Sequence, residues 1–318
     1  MRYARCQLAL GASSSALGTL QTVRKAQPGI RNTADFKSLK EKADRLQQLS
    51  REVGNARRDQ QWESGAYMLS RLMCMLECQY EDTVQHLIFW DMEFRIATQE
   101  FKSALDTLDT LLERKEKDIE FLGLKGRALF LLNRPAEAVL VLKNALQIKG
   151  DDDTLLALLL RVQGCETAKD NGNQAFRRGE WTVAAGKYTA ALGEVGKSSV
   201  DGGGGITRAI LLSNRAAAYA KMGTWKLPAA LDDLAESLRL HPKNWKAYRS
   251  RGRLWVMKEE YKKATRDFRS ALAFLQEEMG ATAAARRELE EELHKARTES
   301  KGHSKPNHYG KQISLFSG

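Results

Sequence analysis

The sequence predicts an all-α protein, a solenoid of stacked antiparallel helix pairs closed by a long C-terminal helix. Three observations point there. Helix-forming Ala, Leu, Glu, Lys, Arg and Gln dominate, and few stretches alternate as strands do. Hydrophobic residues make up 42% of 318 residues with only five prolines to interrupt them, enough for a continuous core. A small residue also returns in the same local context, from Ala104 to Ala138 and from Ala230 to Ala264, with a step of 34 residues.

Each repeat is legible in chain order. Three residues before the small residue stands an aromatic or apolar residue: Phe101, Pro135, Trp181, Leu227 and Tyr261 precede Ala104, Ala138, Ala184, Ala230 and Ala264. Four and seven residues after each alanine come further core positions: Leu108 and Leu111, Leu142 and Ala145, Tyr188 and Ala191, Leu234 and Ser237, Phe268 and Ala271. That spacing marks one face of a helix. In the helix before it, Gly126, Gly172, Ala216 and Gly252 take the position where two helices approach most closely, and Gln99, Asn133, Gly179, Gly223 and Glu259 take the turn. Neither helix of a unit can bury its apolar face alone, so the units must stack.

The same register places a partial unit and linker over 1–34, with Gly11 at the turn, Ala16 at the small position, Leu20 and Val23 in the core and Pro28 at the close. Degenerate and regular units fill 35–164, with Trp62 near the turn of the degenerate pair. Asp151-Asp152-Asp153-Thr154 is expected to cap a helix that runs from Leu155 directly into a three-repeat module over 165–278. Gly202-Gly203-Gly204-Gly205 is expected to be a flexible loop, since a phosphate-binding loop would need a preceding strand and a following Gly-Lys-Ser/Thr. The aromatics Phe176, Trp181, Tyr188, Tyr219, Trp255 and Tyr261 are assigned mostly to the repeat core. A capping helix follows over 279–300, and 301–318 is expected to be a disordered tail.

Charge and cysteines bound the function. The net charge is +11, which favours acidic partners. Of the four cysteines, Cys74 and Cys78 stand one helical turn apart in an apolar run and are expected to be buried thiols; no metal-ligand spacing accompanies them, so no metal or other cofactor is expected. Reduced thiols fit a cytoplasmic protein, with the nucleus an alternative. No apolar run is long enough for a membrane helix. Five scattered histidines form no catalytic constellation, and no enzyme activity is expected.

The 34-residue helix-turn-helix period is that of the tetratricopeptide (TPR) repeat. From Phe36 to His308 the chain resembles the TPR-plus-J-domain co-chaperones of the DnaJ homologue subfamily C member 7 type. The resemblance is carried by Ala168-Lys169-Asp170-Asn171-Gly172-Asn173-Gln174-Ala175-Phe176, by Ser213-Asn214-Arg215-Ala216-Ala217-Ala218-Tyr219, by Trp245-Lys246-Ala247-Tyr248 and by the charged helix near Arg286–Arg297. Pro306-Asn307-His308-Tyr309-Gly310 is similar to the opening of that family's J domain, but no His-Pro-Asp tripeptide follows. The expectation is a chain truncated at both ends, without J-domain stimulation of Hsp70.

The resemblance implies a carboxylate clamp for the acidic C-terminal tails of Hsp70 and Hsp90. Lys169, Asn173, Asn214 and Lys246 match its pattern. The residue types suit that ligand, because two neighbouring carboxylates call for lysine charge and asparagine amide donors. The fifth clamp position is Ser250, where the family carries a cation. Arg249 is the expected substitute, with Arg253 in support and Phe176 lining the groove. A second reading, a basic helical scaffold binding RNA or another acidic partner, rests on the net charge and on the cations near Arg286–Lys305; Glu288, Glu290, Glu291 and Glu292 make that segment look like a solvated capping helix instead.

Overall fold

The computed structural model describes residues 1–76, 84–114, 117–277 and 282–302. Every long regular element among them is a helix, and the helices pair in sequence. The pairs are α1 (Arg2–Ala9) with α2 (Ser13–Ala26), α3 (Ala34–Arg58) with α4 (Trp62–Cys74), α5 (Gln85–Ala97) with α6 (Phe101–Arg114), and α7 (Ile119–Leu131) with α8 (Pro135–Ile148). They continue as α9 (Asp153–Arg177) with α10 (Trp181–Val195), α11 (Gly205–Lys221) with α12 (Leu227–Leu240), and α13 (Trp245–Met257) with α14 (Tyr261–Glu277), before α15 (Ala283–Gly302).

The turns obey one rule. At Gly11, Gln99, Asn133, Gly179, Gly223 and Glu259, the predicted turn positions, φ is positive, and Gln60 does the same between α3 and α4. In six of these seven turns the residue after the turn donates its backbone N–H to a carbonyl five residues back: Ala12 to Gln7, Gln61 to Ala56, Glu100 to Arg95, Arg134 to Leu129, Glu180 to Ala175 and Glu260 to Trp255, at 2.7–3.0 Å. This closure satisfies the last carbonyls of the first helix and offsets the left-handed strain at Gln60, Gln99, Asn133 and Glu259. At Gly223 a short 3₁₀ turn, Thr224–Lys226, leads into α12 instead.

The small residue of each second helix is fully buried: Ala16, Ala104, Ala138, Ala184, Ala230 and Ala264 all have 0% exposure. The predicted core positions that follow are buried as well, apart from the half-buried Val23. Gly172 shows why a small residue is needed in the first helix: a Cβ there would lie 2.7 Å from a ring carbon of Tyr188. Asp152 caps α9 as expected, accepting from the backbone N–H of Thr154 at 3.1 Å and of Leu155 at 3.2 Å. Hydrogen bonds from Thr154 and Lys149, with the Leu155 backbone, hold its carboxyl well below the usual carboxylate range. α9 then runs without a break for 25 residues.

The chain divides into two compact units, one of Met1–Thr167 with Gly193–Thr207, the other of Ala168–Leu192 with Arg208–Gly318. The first has a core of Leu8, Leu20, Leu46, Leu69, Leu87 and Phe94 among others. In the second, one cluster joins Leu227, Leu234, Leu238 and Leu254, and another joins Phe268, Ala271 and Leu275 to Leu289, Leu293 and Ala296 of α15. Two bidentate ion pairs repeat across this unit: Arg215 holds Asp233 at 2.7 Å, and Arg251 holds Asp267 at 2.8 Å.

Several expectations need correction. The four-glycine segment is a buried turn, not a flexible loop. Ser199–Gly204 forms a 3₁₀ element, and Asp201, Gly202, Gly204 and Gly205 are buried. Asp201 is held by Arg127 at 2.5 Å and by Arg161 at 3.5 Å, and Arg127 also donates to the Val200 carbonyl. Glycine is required because φ is positive at all four positions and the backbone passes against its neighbours: a Cβ on Gly205 would lie 2.7 Å from the Leu131 carbonyl oxygen. Cys74 is exposed, because Leu69 and Leu72 take the core face of α4; Cys78 lies outside the described residues. Of the six aromatics assigned to the core, only Tyr188 is fully buried, and the others are half-buried at the edges of their pairs. α15 continues through Gly302, so residues 300–302, expected in or beside a tail, are helical. The rest of the tail, with the J-domain-like opening, lies outside the described residues.

Candidate peptide-binding site

Every residue assigned to the clamp falls in the second unit, on the first helices of three consecutive pairs: Lys169 and Asn173 on α9, Asn214 on α11, and Lys246, Arg249, Ser250 and Arg253 on α13. Lys169 and Asn173 are four residues apart and share a helix face, as do Lys246 and Ser250. Lys169, Asn173, Asn214 and Ser250 are half-buried, while Lys246 is exposed.

Local packing sets two of these side chains. The Tyr188 hydroxyl donates to the Asn173 Oδ1 at 2.9 Å, which fixes the amide and leaves its N–H₂ as the donating end. Burial raises the pKa of that phenol, so it remains a donor at neutral pH. The Lys246 ammonium sits 5.5 Å from the centre of the Trp245 ring, a contact that steadies the long side chain without neutralising it. Phe176 packs edge-on against Trp181, with ring centres 4.9 Å apart, at the turn between α9 and α10.

The arginines behave differently from the sequence-based expectation of groove-facing cations. Arg249, with a side chain 14% exposed, donates from Nη2 to Glu288 at 2.7 Å and to Glu292 at 2.7 Å, and from Nε to Glu292 at 3.1 Å. Arg253 donates to the same Glu292 Oε1 at 2.5 Å. Burial alone would raise the Glu292 carboxyl, but the hydrogen bonds and charges of Arg249 and Arg253 outweigh it and hold the group below the usual range. The Glu292 hydrogen bond likewise raises Arg249. The acidic run of α15 is therefore not simply a solvated face: Glu292 turns inward and supplies α13 with a carboxylate from within the chain. Sequence reading missed this partnership because Arg249 and Glu292 lie 43 residues apart. The available signal was Glu288 and Glu292 at helical spacing, beside the apolar stripe Leu289, Leu293 and Ala296 that docks α15.

Among the described residues no group of three His, Cys, Asp or Glu side chains could hold a metal ion. No helix among them is long and apolar enough to cross a membrane.

Comparison with known proteins agrees with the fold. The tetratricopeptide repeat family profile matches residues 95–153. The DnaJ homolog subfamily C member 7 homolog of Schizosaccharomyces pombe is 27% identical over 239 residues, covering 74% of this chain and 46% of the relative. Its Dictyostelium discoideum counterpart is 27% identical over 176 residues, covering 55% of this chain and 31% of the relative. The chain thus spans less than half the length of these curated relatives. Among solved structures, the crystal structure of the P58(IPK) TPR domain superposes with a TM-score of 0.53 at 19% identity, covering 96% of this chain and 79% of that one. The chain is a tetratricopeptide-repeat solenoid whose relatives include proteins named DnaJ homolog subfamily C member 7.

Proposed function

We propose that this chain is a co-chaperone-like scaffold that grips the acidic C-terminal tails of Hsp70 or Hsp90 through Lys169, Asn173, Asn214 and Lys246. The observation that carries the reading is the Asn173 amide, anchored through its oxygen by Tyr188 so that its N–H₂ is left to donate, on a residue one helical turn along α9 from Lys169. A lysine beside an oriented amide donor is what a terminal carboxylate needs: charge to replace the solvation it loses, and a directed hydrogen bond to fix its position. The relatives named DnaJ homolog subfamily C member 7 support the assignment. The Arg249 guanidinium enters this scheme already bound to Glu288 and Glu292, so a tail that uses it must displace a carboxylate of α15. Ser250 supplies no charge, and Phe176 borders the groove.

The role is binding rather than catalysis. The 318 residues contain no His-Pro-Asp tripeptide, and this chain is expected not to accelerate ATP hydrolysis by Hsp70 in a single-turnover assay. The test of the clamp is calorimetric titration with Hsp70- and Hsp90-type C-terminal peptides, each paired with its terminally amidated form. A charge-assisted hydrogen bond is worth about 1.5–3 kcal/mol. Lys169→Ala and Lys246→Ala should therefore each weaken binding about tenfold or more, and amidation should cost less in whichever variant has lost the terminal-carboxylate contact. Wild-type affinity in both lysine variants would remove the clamp from these helices.

A further inference from the structure

Outside the clamp, α14 and α15 form a concavity of about 530 Å³ whose rim is cationic. Lys262, Arg266 and Arg269 approach it from the first turns of α14, and Arg297 and Lys301 from the last turns of α15. The spacing on each helix is that of a single face, so the five cations face one space rather than encircling the pair. Its walls are held by the shared core of Phe268, Leu275, Leu289, Leu293 and Ala296.

These five stand apart from the other cations of the same region. Arg249 and Arg253 are paired with Glu292, Arg251 with Asp267, Lys263 with Glu260 and Arg286 with Glu290. Among the described residues, none of Lys262, Arg266, Arg269, Arg297 and Lys301 makes an ion pair. Of the nearby acids, Asp267 binds Arg251, while burial, with Glu299 and Glu259, raises the pKa of the Tyr261 phenol. Five positive charges without an ion-pair partner around one concavity repel one another, and that repulsion is relieved by an anion of high charge density.

We propose that this concavity binds a compact polyphosphate anion. Arginines donate in forks to phosphate oxygens, and the two lysines add point charges at opposite ends of the rim. Size and lining favour a compact anion over a nucleic-acid strand. The volume lies within the range of small-molecule sites, and among the described residues that line it none is aromatic and able to stack a base. The site shares no residue with the clamp and does not depend on it.

The test uses the full chain and inositol hexakisphosphate as probe, titrated calorimetrically at two salt concentrations, with inorganic phosphate and single-stranded RNA as further arms. The proposal expects saturable one-to-one binding that weakens steeply with salt. R266Q/R269Q/R297Q should lower affinity roughly 30-fold or more, because each lost arginine removes at least one charge-assisted bond. A charge-matched control is available in the first unit, where Arg24, Arg31 and Lys40 line another concavity, of about 580 Å³, that Asp44 shares. R24Q/R31Q/K40Q should leave affinity within about twofold of wild type. Circular dichroism of both triple variants checks that helix content is retained. Equal losses in both triple variants would mean that net charge, not a site, attracts the probe, and would overturn the proposal. So would equal competition by inorganic phosphate at the same concentration, or RNA binding more tightly than the probe through the same three arginines.

Discussion

Glu292→Gln separates the two roles open to Arg249. In the structure Glu292 accepts from Arg249 at 2.7 Å and 3.1 Å and from Arg253 at 2.5 Å, while Glu288 keeps its own contact with Arg249 at 2.7 Å. The substitution keeps the shape of the side chain and one acceptor oxygen but removes the charge. A buried charge-assisted bond contributes about 1.5–3 kcal/mol. Here the Arg253 side chain is 56% exposed and Glu288 remains, so water screens much of the loss, and about 1 kcal/mol of α15 docking is expected to go. The same change leaves one guanidinium less neutralised beside the proposed clamp. An acidic C-terminal peptide should then bind about three- to tenfold more tightly, the equivalent of about 0.7–1.4 kcal/mol, and the gain should vanish when the peptide is amidated. Calorimetry reads the affinity, and amide hydrogen exchange across 283–302 reads the docking of α15. Unchanged or weaker peptide binding, with α15 still protected, would show that Arg249 is a structural partner of α15 and takes no part in tail recognition.

Other outcomes follow from the same geometry. Ser250→Arg should strengthen tail binding, by several-fold in the same titration, if the charge missing at that position limits affinity. The Glu292 carboxyl is held below its ordinary pKa; its contribution is present above the unfolded value near 4.3 and is lost as pH falls through the lower folded value. Protection of α15 should therefore decline on acidification in the wild type and much less in Glu292→Gln. Asp201→Ala strips Arg127 and Arg161 of a carboxylate that is 10% exposed, and should destabilise the first unit by about 2–4 kcal/mol, read as a lower denaturant midpoint. Gly205→Ala should also destabilise that unit, by roughly 2 kcal/mol or more, because a fixed carbonyl oxygen occupies the space of the new methyl and φ is positive.

The helix pairs, their turns and their core faces follow from local sequence, because the 34-residue period repeats a short-range code. A small residue, an apolar face and a turn-forming residue each act within one or two helical turns, and all six predicted turn positions have the left-handed backbone. The shared helix face of Lys169 and Asn173 follows from local sequence too, since their four-residue spacing holds wherever that helix packs. Tertiary structure alone decided the features that join residues far apart in the chain. The glycine run reads locally as flexible, yet it is buried because Arg127 and Arg161, on α7 and α9, converge on Asp201. Tyr188 reads as core packing, yet its hydroxyl orients Asn173 from the neighbouring helix. Arg249 reads as a free groove cation until α15 folds back and brings Glu292 against it. The physical reason is common to all three: helix formation and burial depend on neighbours in sequence, whereas the pairing of charges and donors depends on which helices the stack brings together.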